Sequence, residues 1–118
     1  ETDQMGFVHH SNYLKYFELA RIEWLLDLGI SYAAMELDGI LMPVVSAKVK
    51  FKIPLIFGDN FNVKISVKKE PMATLEFDYI IVNQKNEIIC NGNTVLAFLS
   101  SMKKRPVRCP KFLLEKFS

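Results

Sequence analysis

From Tyr13 to Leu28 the residues Tyr13, Phe17, Ala20, Trp24 and Leu28 recur at steps of four, three, four and four, with Leu14 and Leu25 beside them. That spacing lays one apolar face along a helix of about four turns. Lys15, Glu18, Arg21, Glu23 and Asp27 occupy much of the remaining surface and read as ordinary helix-face charge. Ser11 and Asn12 precede the stripe as candidate N-caps, whose side-chain oxygens can accept first-turn amides. Gly29 follows as a stop that tolerates positive φ.

Beyond a link containing Gly39 and Pro43 the period falls to two. Val45, Ala47, Val49, Phe51 and Ile53 alternate with Ser46, Lys48, Lys50 and Lys52, which predicts a half-buried strand. Pro54 and Gly58-Asp59-Asn60 break it, and Phe61, Val63, Ile65 and Val67 then alternate with polar residues as a second strand. A third runs near Thr74 to Val82. The turn Asn83-Gln84-Lys85-Asn86 leads into a fourth over about Glu87 to Leu99, with Gly92 as a candidate bulge. These strands are expected to form an antiparallel meander covering the helix stripe, an α+β arrangement. The basic run Lys103-Lys104-Arg105 precedes a tail that suits a short terminal helix ending near Phe117.

The 118 residues, half of them apolar, suffice for one core. Lys and Arg total 15 against 13 acidic residues, and a net charge of +2 provides no broad field for nucleic acid or an anionic membrane. No run approaches the roughly 20 apolar residues of a membrane span, and no charged start followed by an apolar stretch suggests a signal peptide. Cys90 and Cys109 lack metal-ligand spacing and read as ordinary thiols of a reducing, cytoplasmic setting. No metal or other cofactor is implied. The chain opens at Glu1 on a dense segment, so a strand upstream of it is an open alternative.

Periodicity alone identifies no activity. The segment Thr2-Asp3-Gln4-Met5-Gly6-Phe7-Val8-His9-His10-Ser11-Asn12-Tyr13, followed by Tyr16-Phe17-Glu18, Ala20-Arg21 and Glu23, resembles the 4-hydroxybenzoyl-CoA thioesterase-like family, in particular its bacterial acyl-CoA thioesterase branch. The resemblance continues at Met42-Pro43-Val44-Val45, at Pro54 with Gly58-Asp59, and from Arg105-Pro106 to Pro110. It implies one hotdog domain over residues 1–118: a long central helix wrapped by a curved antiparallel β-sheet. It also implies subunits joined edge to edge, a homodimer at minimum and a homotetramer by further pairing, with active sites between subunits. The implied reaction is hydrolysis of an acyl-CoA, or of an acyl carrier protein or aromatic acyl-CoA thioester such as dihydroxynaphthoyl-CoA, to a free acid. A module that only binds acyl groups is the non-enzymatic alternative.

By the same resemblance Asp3 is the catalytic carboxylate and the backbone N–H of His10 polarises the thioester carbonyl. Gly6, Val8, Asn12 and Tyr13 are expected around the substrate, although Tyr13, Phe17 and Trp24 also read as core. Thioester hydrolysis builds negative charge on the carbonyl oxygen, and a helix start presents unpaired amides and partial positive charge to it. Asp3 could attack the carbonyl or serve as base for water; both roles need an ionised carboxylate. Gly6 would let backbone approach the substrate closely. The helix dipole favours a neutral His10 side chain, and His9, where the family more often has tyrosine, reads as a loop histidine. Asp59 reads as a turn residue. Coenzyme A phosphates need cations, for which Lys68, Lys69, Lys103, Lys104 and Arg105 are the candidates.

Overall fold

The computed structural model describes residues 10–53 and 60–117, with side chains from residue 12 onward. Helix α1 spans His10–Asp27 and ends as expected, with Gly29 at φ +82°. The proposed N-caps are corrected: Ser11 and Asn12 lie within the first turn of the helix rather than ahead of it. The apolar stripe is buried at Tyr13, Phe17 and Leu25 and half-buried at Ala20, Trp24 and Leu28, whereas Leu14 is exposed.

Two elements follow that periodicity did not disclose, because each is too short to show a period. Helix α2, Tyr32–Leu37, starts where the Ser31 hydroxyl accepts the Ala34 amide at 3.0 Å, and strand β1 is Ile40–Leu41. The four longer strands lie where they were expected: β2 Val44–Phe51, β3 Phe61–Ser66, β4 Thr74–Asn83 and β5 Ile88–Ser100. Strand β6, Arg105–Val107, was hidden in the basic run, and the tail folds as α3, Lys111–Leu114, with a 3-10 turn to Phe117.

All pairings are antiparallel, but the expected meander holds only for β3, β4 and β5. Strand β2 pairs with β5, not with its sequence neighbour β3, and gives the order β2-β5-β4-β3. Strand β5 is long enough to pair on both sides and carries β1 and β6 at its far end. Among the described residues this leaves β2 with one unpaired edge.

Gly92 is not at a bulge; it pairs regularly with Val49 and Tyr79. The register shifts lie elsewhere, with Val45 as the extra residue of β2 and Ile89 that of β5. Gly92 serves close approach: a Cβ there would meet the Phe17 ring of α1. The helix therefore rests directly on the sheet backbone, and Phe17 stacks on Tyr79 with ring centroids 4.2 Å apart. Trp24 meets Phe77 edge-on at 5.2 Å, and the 3-10 turn covers it with Phe117. Leu75, Phe77, Tyr79 and Ile81 of β4 and Cys90, Leu96 and Phe98 of β5 complete the core under the helix.

Strand β2 departs from the half-buried expectation. Val44, Val45 and Phe51 are exposed among the described residues, Val45 at 60%, while Val49 is half-buried against the core.

Candidate active site

The segment Thr2 to Tyr13, from which the resemblance draws its expected site residues, ends on the first turn of α1. His10 begins the helix, and a first-turn amide has no acceptor within its own helix. Behind it Asn12 and Tyr13 are buried, at 5% and 1% exposure. The Tyr13 ring meets Phe51 edge-on at 4.9 Å and Tyr16 at 6.2 Å. The helix start is thereby pinned beside the last residue of β2, next to the strand's unpaired edge. Asp3, Gly6, Val8 and His9 lie outside the described residues, as do Pro54, Gly58 and Asp59. For His10 the backbone is described and the side chain is not.

The candidate cations divide into two groups that one chain does not bring together. Lys68 follows β3 and contacts Asp78 of β4 at 3.7 Å, with Lys69 exposed beside it. Lys103 and Lys104 form an exposed turn, and Arg105 opens β6 opposite Ser100. Phe51, next to the helix start, pairs with Cys90. Cys90 and Ser100 are ten residues apart on β5, a separation of roughly 33 Å at strand rise. Within one chain the Lys103–Arg105 turn is thus at the opposite end of the sheet from His10.

Arg21, read from sequence as helix-face charge, is instead buried at 7% exposure. Its Nη1 donates to the Tyr79 hydroxyl at 3.1 Å, and that hydroxyl is 2.6 Å from the Thr94 hydroxyl. Burial pulls the Arg21 pKa down, but hydrogen bonding to Tyr79 and then Tyr32 more than offsets it, leaving a net rise. Burial raises the pKa of both phenols, so they stay neutral. A cation is thus held against β4, β5 and α2 by hydroxyls, and its Nε has no acceptor among the described residues. The signal was present in the sequence: positions 17, 21, 24 and 28 form a helical row, and Arg21 sits within it. This network fixes the seating of α1, and through it the direction in which the helix start points.

Residues 1–117 match the model of the thioesterase-like superfamily. This chain belongs to that superfamily. YneP of Bacillus subtilis, a proposed acyl-CoA thioesterase, is 38% identical over 111 residues, which is 94% of this chain and 80% of that protein. The structure of a DHNA-CoA thioesterase from Staphylococcus aureus superposes with a TM-score of 0.85 at 36% identity, covering 92% of this chain and 72% of that one. A hypothetical protein from Aquifex aeolicus superposes with a TM-score of 0.92 at 33% identity, covering 100% and 91%. The wrapped central helix is therefore a hotdog fold. No helix among the described residues is long and apolar enough to cross a membrane.

Proposed function

We propose that this thioester hydrolase cleaves an acyl-CoA to a free carboxylic acid and coenzyme A, with Asp3 as its catalytic carboxylate. The observation that carries the reading is the start of α1 at His10, at the end of a motif whose Asn12 and Tyr13 are buried against the end of β2. Aligned helix amides at that point favour negative charge, and the carbonyl oxygen acquires it as the tetrahedral intermediate forms. Asp3 supplies the other half, by attacking the carbonyl carbon to give a mixed anhydride or by taking a proton from an attacking water. In either case the thiolate leaves and collects a proton, and in the first route water then hydrolyses the anhydride to the free acid and restores the Asp3 carboxylate.

The site is completed by a second subunit. Exposed Val44, Val45 and Phe51, on a strand with one edge unpaired among the described residues, fit an isologous β2 contact. Antiparallel self-pairing of β2 reverses the second sheet, so the Lys103–Arg105 turn of the partner approaches this helix start. That removes the distance separating the turn from the site within one chain, and makes Lys103, Lys104 and Arg105 better candidates for the coenzyme A phosphates than Lys68, which already pairs with Asp78. The S. aureus relative favours an aromatic acyl group as a second reading of the substrate.

Asp3→Asn should lower thiol release from a good acyl-CoA by at least about a thousandfold; near-normal turnover would refute the assignment. Single turnover in ¹⁸O-water separates the two roles, because label found in Asp3 requires the anhydride.

A further inference from the structure

The two large apolar side chains most exposed among the described residues lie on adjoining segments at one end of the sheet. Leu37, the last residue of α2, is 89% exposed, and Met102, in the turn between β5 and β6, is 88% exposed. The segments meet directly: the Ser101 amide donates to the Gly39 carbonyl at 2.9 Å, and a Cβ on Gly39 would lie 4.0 Å from Met102 Cγ. Single exposed leucines are ordinary, but two nearly bare apolar side chains on touching segments mark a surface that meets something.

The turn keeps its cations at a conformational cost. The Lys103 amide donates to Ser100 Oγ at 3.1 Å and the Lys104 amide to the Ser100 carbonyl at 2.8 Å, which leaves Lys104 at φ +53°. Left-handed backbone favours Gly or Asn, and the turn between β4 and β5 uses Asn86 at φ +66° in that way. A lysine there is strained, so the β5–β6 turn holds a charge where a smaller residue would sit more easily. Lys103 and Arg105 on either side of it are exposed as well. The result is a fixed apolar tip followed by three bases in succession.

Charge and size together name the occupant. A net charge of +2 gives no broad field, but three of the 15 bases stand in this one turn. Glu36 and Asp38, exposed on either side of Leu37, oppose them without outnumbering them. Two side chains and a short turn offer far less than the ~800 Å² per partner that a stable protein interface buries. A lipid surface makes no such demand, because an apolar tip enters the acyl region while neighbouring bases meet the lipid phosphates. Coenzyme A phosphates would account for the bases and leave Leu37 and Met102 bare. We infer that Leu37 and Met102, with the bases of the β5–β6 turn, dock this protein on an anionic lipid surface. In the edge-paired dimer proposed above, on which this last step rests, the turn stands beside the partner's helix start. Docking then presents the mouth of the site to acyl-CoA held in the membrane.

Flotation of the full chain with vesicles tests it. The protein should float with vesicles of equal parts phosphatidylglycerol and phosphatidylcholine, and stay behind with phosphatidylcholine alone. Leu37→Ser/Met102→Ser should weaken binding to the anionic vesicles by about a hundredfold, with melting temperature and sedimenting mass unchanged. Lys103→Gln/Lys104→Gln should weaken it about twentyfold, and Glu36→Gln/Asp38→Asn should strengthen it by a similar factor. No flotation with the anionic vesicles would overturn the inference. So would equal binding to both kinds of vesicle, or binding that Leu37→Ser/Met102→Ser retains, which is attraction by the bases alone. Lysine variants that raise KM for acyl-CoA but float like wild type would assign those bases to coenzyme A and overturn the lipid contact. A changed mass of the Leu37→Ser/Met102→Ser variant without lipid would make the patch a contact between chains, and would overturn it too. Flotation does not read turnover, so the thioesterase reading survives a failure here. A chain that floats but releases no thiol from any acyl-CoA would remove that reading and keep the docking.

Discussion

Gly92→Ala is the sharpest test of how the helix is seated. The added Cβ would lie within 2.5 Å of Phe17 Cε2 and 3.2 Å of Cε1. The ring cannot swing away, because it is fully buried and stacked 4.2 Å from Tyr79, whose hydroxyl is tied to Arg21 and Thr94. Overpacking of a closed core costs about 1–3 kcal/mol, and an immobile aromatic ring puts this site at the upper end. Restricting the unfolded chain returns roughly 0.4–1 kcal/mol, so a net loss of about 2 kcal/mol is expected. For a chain of 118 residues that is a fall of about 8 °C in Tm. Urea denaturation at fixed protomer concentration measures the loss without confusing it with dissociation. Phe17→Leu in the same background should recover at least about 1 kcal/mol relative to additivity, since the clash is with the ring itself. A Gly92→Ala variant within about 0.5 kcal/mol of wild type, or full additivity with Phe17→Leu, would show that the helix does not rest on the strand backbone here.

The other expectations concern polar and titrating groups. Tyr79→Phe removes the acceptor for Arg21 and the partner of Thr94, and should cost about 1–3 kcal/mol in urea denaturation. Arg21→Met should cost less, because it removes the buried charge along with its desolvation and leaves Tyr79 bonded to Thr94; a larger loss than for Tyr79→Phe would contradict this ordering. Burial pushes the Cys90 and Cys109 thiols up to about 11 from 9.0. At pH 8 the native protein should therefore react with a disulfide reagent about a hundredfold more slowly per thiol than the urea-unfolded chain. The native state keeps these protons between pH 9.0 and about 11 while the unfolded chain releases them, so the thiols make stability fall as pH rises through that window. Charge reversal at Lys103 and Lys104 should raise KM for acyl-CoA and leave KM for a pantetheine thioester unchanged; equal effects on both would argue against a phosphate contact.

Much of the architecture is written in one dimension. Apolar recurrence at steps of three and four disclosed α1, two-residue alternation disclosed β2 and β3, and the Asn83–Asn86 turn separated β4 from β5, each to within a few residues. The resemblance that begins at Thr2 to Tyr13 pointed to the family that the match over residues 1–117 shows. Strand partners were another matter. Alternation is the same whichever strand lies alongside, so the β2–β5 pairing emerged only once β5 was seen paired on both sides. The same holds for single positions: Gly92 read as a bulge until Phe17 occupied the space above it, and Arg21 read as surface charge until Tyr79, Thr94 and Tyr32 closed around it. Sequence spacing states which residues share a face. Only packing of distant segments states what each face meets, and hence which glycine is a contact and which charge is buried.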